Sequence, residues 1–392
     1  MPIIDRIREY HDTLIAWRRD IHAHPELGFQ EQRTSDLVAE RLAGFGIEVH
    51  RGIGKTGFVG RLRLGNSPRT IGLRADMDCL PILEANNFAH RSTDDGRMHA
   101  CGHDGHTVML LGAARHLAET RNFDGTVHFI FQPAEEGLGG AEAMVRDGLF
   151  ERFPCDVIFG MHNRPGLAVG KFQIRTGAMM AGGAFFDIAI TGRGAHGARP
   201  ESGIDPVVVA AHITTGLQTI VARNVRPQDT AVVSVTQIHG GDAYNVIPER
   251  AVLRGTVRCF STATMNLVEE RMRRIAEGVA SGFGARAELD FRALFPPLVN
   301  HADETDFIAD TAAEIVGPEN INRNAPVTMA SEDFSYMLNA VPGAYIQIGN
   351  GDGEGACEVH NPGYDFNDGA LPFGAALFVG LVERRLARLE RE

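Results

Sequence analysis

The sequence predicts an α/β protein in which a small α+β domain interrupts a larger domain built on a mixed sheet. Three observations carry that expectation. At 392 residues the chain exceeds what one hydrophobic core usually supports. Short apolar runs alternate with amphipathic helical patterns, and near Gly182 that rhythm gives way to another. In chain order, 70–75, 127–131, 156–161 and 344–348 read as buried strands, because near-continuous apolar stretches suit a sheet covered on both faces. Residues 34–42 and 107–120 have the helical period and the length of connecting helices. The pattern then runs as strand 185–191, helix 206–222, strands 230–239 and 249–260, helix 264–281 and strand 285–294. That β-α-β-β-α-β order is the ferredoxin-like split unit, and Pro296 with Pro297 closes it. The expected division is 1–182 and 298–392 for the large domain, with 183–297 inserted.

Composition narrows the function. Hydrophobic residues make up 44% and charged residues 22%, enough apolar matter for sizeable cores. Lys+Arg 38 against Asp+Glu 50 leave a net charge of −12, which disfavours nucleic acid and anionic lipid surfaces as partners. No apolar run approaches the roughly 18 residues of a membrane span, and residues 1–20 read as an amphipathic helix rather than a signal peptide. The five cysteines are odd in number and irregularly spaced, so they form no disulfide framework and point to a reducing cytoplasm.

Sixteen histidines matter only if some cluster, and residues 99–106 do so: His99-Ala-Cys101-Gly-His103-Asp104-Gly-His106. A thiol, three imidazoles and a carboxylate in so short a stretch are soft and borderline donors, the chemistry of a metal site. In an extended segment Cys101 and His103 would project to one side. His99 and His106, taken singly, read equally well as surface or helix N-terminal residues. Further donors fall where strands end: Asp76 and Asp78 after the first, Glu135 and Glu136 after the second, His162 at the third and His360 after the fourth. The carboxyl ends of neighbouring strands in an open α/β sheet border one crevice, so these donors can meet. Glu135 and Glu136 also read as a solvated helix start. At the end of an apolar strand they suit a division of labour, one binding a cation and its neighbour taking a proton from water.

The segments HAHPELGFQE (22–31), LRADMDCLP (73–81), MHACGHDGH (98–106), FQPAEEG (131–137), GMHN (160–163), GRGAHGARP (192–200), NVIP (245–248), ASEDF (330–334) and VHNPGYDF (359–366) resemble the hippurate hydrolase and N-acyl-amino-acid amidohydrolase family. That family belongs to the wider aminoacylase and zinc-peptidase superfamily. The resemblance runs in register over nearly the whole chain. It implies metal ligands at Cys101, His103, Glu136, His162 and His360, and Glu135 as general acid/base. It also implies two divalent ions per subunit, zinc or manganese before cobalt or nickel, with Cys101 where related peptidases carry a bridging aspartate. Asp76 and Asp78 would orient histidine ligands from behind. The inserted domain becomes a lid and dimerisation domain, in which His196 reaches across a homodimer interface to the oxyanion and Asn245 binds substrate. The implied reaction is hydrolysis of the amide of an N-acyl amino acid by metal-activated water.

Other readings compete. The same site serves a dipeptidase or carboxypeptidase-like enzyme. A thiol amidohydrolase would use Cys101 activated by His103, but leaves Glu136, His162 and His360 idle. A non-catalytic metal-dependent binding protein would have no use for Glu135.

Overall fold

A computed structural model of the chain describes residues 2–351 and 357–388. These form two compact units, Met1–Gly177 with Val299–Pro326 and Asp333–Glu392, and Ala178–Leu298 with Val327–Glu332. Each has its own apolar core. Among the described residues, no helix is long and apolar enough to cross a membrane.

In the first unit, Thr70–Asp76 (β1), His103–Thr120 (α1), Gly125–Gln132 (β2) and Val157–Arg164 (β3) form the centre. The sheet has eight strands in the order Glu48–Arg51, Phe58–Leu64, β2, β1, β3, Gly343–Gly349, Phe172–Gln173 and Ile321–Asn322. Its four middle strands are parallel and its flanks are mixed. Burial along almost every residue of these four explains their unbroken apolar runs. Each strand continues past its apolar run at the carboxyl end, taking in Asp76, Gln132 and His162–Asn163. The polar side chains there find buried partners, Asp76 and Gln132 in Arg74 and Asn163 in Tyr364.

Helix α1 starts at His103, four residues before the apolar period begins. Gly102, at φ +93°, turns the chain into the helix, so Cys101 and His103 do not lie in an extended segment. The expectation of an extended stretch fails because the polar first turn, His103-Asp104-Gly105-His106, hides the helical period. Nearly all of α1 is buried, and it packs on Leu371–Arg385 so closely that a Cβ on Gly374 would overlap Met109.

Helix His11–Ala23 brings two fully buried cations, Arg18 and His22, to the first turn of α1. Arg18 lies 3.4 Å from Asp104, 2.7 Å from Asp365 and 2.8 Å from Asp368. His22 sits between carboxylates, with Nδ1 2.9 Å from Asp104 and Nε2 3.2 Å from Glu84. With an acceptor at each ring nitrogen the imidazole holds both protons.

In the second unit, Gly182–Thr191 (β4), Pro206–Arg223 (α2), Ala231–Gly240 (β5), Arg250–Cys259 (β6), Thr262–Gly282 (α3) and Arg286–Phe295 (β7) follow one another. The antiparallel sheet has the order β5-β6-β4-β7, which is the ferredoxin-like arrangement. Burial alternates along β6, as a sheet with one covered face requires. The helices begin where side chains can cap them: Asp205 accepts from Val207 and Val208 before Pro206, and Ser261 accepts from Thr264. The Val327–Glu332 segment joins this unit through Thr328, whose carbonyl accepts from Ala181 at 3.0 Å.

Burial alone would lower the His22 pKa, but Asp104 and Glu84 overcome it and raise it from 6.5 to about 9. The stabilisation is therefore complete below pH 6.5 and disappears as pH climbs through about 9. Urea unfolding across this window should show wild type losing about 3 kcal/mol that His22→Gln does not lose. Parallel pH profiles for the two proteins would contradict the assignment.

Candidate metal centre

The carboxyl ends of β1, β2 and β3 and the loops beyond them carry the ionisable side chains into one pocket of the first unit. Cys101, His103 and His162 each offer a donor atom, and these atoms lie within 4.8 Å of one another. The same holds for Cys101, Glu136 and His360, and for His103, Glu135 and Glu136. Cys101 Sγ is 3.3 Å from His162 Nε2, and His360 Nε2 is 3.2 Å from Glu136 Oε1. All five ligand positions expected from the sequence, and Glu135 beside them, thus meet in space.

The hydrogen bonds decide which nitrogen of each imidazole faces the pocket. His103 Nδ1 donates to the Asp78 carbonyl at 2.9 Å and carboxylate at 3.1 Å, leaving Nε2 buried and without a hydrogen-bond partner. His162 Nδ1 donates to the Asn163 carbonyl at 2.7 Å and likewise turns Nε2 inward. Asp78 does two things at once, since its other oxygen accepts the Glu136 backbone N–H at 3.0 Å. Asp76 acts differently: its Oδ1 is 2.6 Å from His106 Nδ1, while Oδ2 is 3.9 Å from His103 Nε2.

Electrostatics asks for positive charge in this pocket. Burial pushes the Cys101 thiol well above its ordinary pKa, and Glu136, Glu135 and Asp76 push it further. Burial lowers His103, but Asp76, Asp78 and Glu136 overcome it and raise it from 6.5 to about 10. Burial keeps His162 well below the ordinary value, so its Nε2 stays a lone-pair donor. An orphaned imidazole nitrogen, a second inward lone pair, a thiol and two carboxylates fit divalent cations of borderline softness. The same facts weaken the thiol nucleophile: Cys101 faces His162 rather than His103, and its surroundings oppose the thiolate.

Behind the donors runs a second buried network that the sequence reading did not assign. Arg74, fully buried on β1, donates to Asp76 at 2.6 Å, Gln132 at 2.7 Å and Asp333 at 3.3 Å. Asp333 accepts from Gln132 at 2.7 Å and Ala141 at 2.8 Å, and its own N–H lies 3.4 Å from Glu135 Oε1. Glu31 accepts the Ala134 N–H at 2.8 Å, holding that residue at φ +53° immediately before Glu135. The sequence did carry a sign of this network: an arginine inside the apolar run 70–75 is hard to bury without carboxylate partners.

Two histidines of the 99–106 cluster are not among the expected ligands, and of these His106 offers a ligand atom within 4.8 Å of those of Asp76 and His103. His106 is buried with both nitrogens occupied, by Asp76 and by the Asn163 N–H at 3.0 Å, and His99 is buried outside the donor groups. In the second unit, Ala195–His196 pairs with Val246–Ile247, so His196 lies opposite Val246, next in sequence to Asn245, and both His196 and Asn245 are exposed. His196 Nδ1 accepts the Ala198 N–H at 3.0 Å, so its proton sits on Nε2.

The model of peptidase family M20/M25/M40 matches residues 72–384. A hippurate hydrolase of Campylobacter jejuni is 42% identical, over 98% of this chain and 100% of its own length. An N-acetylcysteine deacetylase of Bacillus subtilis is 38% identical, over 96% of this chain and 97% of its own. The crystal structure of a Bacillus subtilis protein described as a dinuclear metal binding peptidase from the M20 family superposes with a TM-score of 0.85 at 36% identity, covering 97% of this chain and 99% of that one.

Arg74→Met removes the charge between Asp76 and Asp333 and leaves both carboxylates buried. Urea unfolding should show a loss of about 3–5 kcal/mol. A loss of about 1 kcal/mol or less, the range of a surface pair, would contradict the network.

Proposed function

The chain belongs to peptidase family M20/M25/M40, and on that premise we propose that it hydrolyses the amide bond of N-acyl amino acids. Cys101, His103, Glu136, His162 and His360 hold two divalent cations, zinc or manganese, and Glu135 moves the proton. One observation carries this reading: donors from distant parts of the chain meet in overlapping groups of three, each within 4.8 Å, and Glu135 joins one of them.

Divalent cations held by these donors would supply Lewis-acid polarisation of the amide carbonyl and a more acidic water. Glu135, buried to 92% and facing the Asp333 N–H, takes the proton of the attacking water and returns it to the leaving amine. Asp78 keeps His103 and Glu136 aimed inward by bonding both from behind. In this reading the protein is a cytoplasmic homodimer. His196 of the partner subunit offers its Nε2–H to the developing oxyanion, and Asn245 contacts substrate. The acyl group and the amino acid are set by the shape of the substrate pocket.

Three tests bear on this. Glu135→Gln should keep its metal and lose turnover by roughly 10²–10⁴-fold; near wild-type activity would remove Glu135 from the role. Glu136→Ala and His162→Ala should purify with reduced metal by elemental analysis, and full occupancy in both would overturn the donor set. A release assay over benzoyl-glycine, acetyl amino acids, indole-acetyl amino acids and dipeptides, with several added divalent metals, should show cleavage of N-acyl amino acids. Exclusive cleavage of dipeptides would reassign the enzyme as a peptidase, and activity lost to alkylation but not to a chelator would favour the thiol mechanism.

A further inference from the structure

The residue after His162 takes no part in the proposed chemistry, yet it is bonded to four residues of the site and its surroundings. Asn163 is 2% exposed. Its side-chain Nδ2 donates to the Cys101 carbonyl at 2.6 Å and lies 3.2 Å from His106 Nε2. Its Oδ1 accepts the Tyr364 hydroxyl at 2.7 Å. Its backbone N–H donates to His106 Nε2 at 3.0 Å, and its carbonyl accepts His162 Nδ1–H at 2.7 Å.

The directions of these bonds agree. Asp76 accepts from His106 Nδ1, which makes His106 Nε2 an acceptor, as two N–H groups of Asn163 require. A flipped amide would set its oxygen against the Cys101 carbonyl and the His106 Nε2 lone pair. One orientation is therefore specified. Four segments meet on this amide: the Cys101 turn, the first turn of α1, the end of β3, and the loop in which Tyr364 follows His360 by four positions. The packing leaves no slack, because a Cβ on Gly102 would overlap Asn163 Nδ2 and come within 2.6 Å of Tyr364 Oη. Every bond uses an atom facing away from the pocket, so Cys101 Sγ and His162 Nε2 stay available to a cation.

We infer that Asn163 is a positioning residue for the cation held by Cys101 and His162, and that Tyr364 orients its amide. The inference rests on the donor assignment proposed above. Asn163 sets the spacing of the thiol and imidazole by holding the carbonyl of one residue and the ring Nδ1–H of the other. Asp at this position cannot stand in for Asn, since a carboxylate accepts from Tyr364 but cannot donate to Cys101 or His106.

Cobalt(II) is a suitable probe, because a thiolate ligand gives it a near-ultraviolet charge-transfer band and the visible d–d bands report coordination geometry. Metal-free full-length wild type, Asn163→Ala, Asn163→Asp and Tyr364→Phe are titrated with cobalt(II), with near-ultraviolet circular dichroism as a check on folding. Asn163→Ala and Asn163→Asp should bind cobalt about 10–100-fold more weakly, with the thiolate band shifted or lost. Tyr364→Phe, which removes one hydroxyl, should move both readouts in the same direction by less. Wild-type affinity and an unshifted thiolate band in a folded Asn163→Ala overturn the inference. If that variant does not fold, Tyr364→Phe decides: an unshifted band and wild-type affinity overturn it, and a shifted band supports it. A wild-type protein that binds cobalt with no thiolate band refutes the donor assignment itself and is thereby told apart from a failure of Asn163.

Discussion

Ionisable groups buried at the ends of parallel strands are tolerable only when their charges balance, and the first unit is organised around that balance. Arg74 and Arg18, both fully buried, and His22 between two carboxylates supply positive charge that no solvent can screen. Arg74 neutralises the network around Asp76 and Asp333. Arg18 and His22 answer Asp104 and its neighbours at the base of α1. Burial pushes the Asp76 carboxyl up, but His103, Arg74 and His106 hold it well below the usual carboxylate range. Cys101, Glu135 and Glu136 lie at the pocket, where the carboxylates push the Cys101 thiol up and Glu136 raises His103 and His360.

Backbone conformation serves the same end. Donors must project from the ends of strands, where the chain turns sharply, and two of the turns put non-glycine residues in the left-handed region: Ala134 at φ +53° and His360 at φ +66°. Each is held by a bond from outside its own turn. Glu31 accepts from Ala134, and the His360 N–H donates to the Ala100 carbonyl at 2.7 Å. Strain of this sort persists only where surrounding structure over-determines it. Glu135 and His360 therefore owe their places to residues far off in sequence, Glu31 and Ala100.

Much of this architecture was legible in the chain. Apolar runs mark the parallel strands because both sheet faces are covered, and the altered rhythm after Gly182 marks the ferredoxin-like unit because its strands have one exposed face. The donors could be gathered in advance because strand ends share a crevice. Legibility ended at the polar first turn of α1, which masks its own period, and at Asn163, Asp333 and Glu31. These lie inside motifs quoted for the family resemblance, yet their residue types are common in loops, and nothing local marks them as buried.

The linear chain by itself determined the fold class, the residues able to bind a metal and the strand ends from which they project, because periodicity and donor chemistry are local properties. Only the tertiary structure decided which imidazole nitrogen faces the pocket, that both His106 nitrogens meet protein partners while His103 Nε2 meets none, and that Arg74 sits between Asp76 and Asp333. Those outcomes depend on which hydrogen-bond partner each buried group meets, and the partners come from segments tens to hundreds of residues away, as with Arg74 and Asp333 or Asn163 and Tyr364.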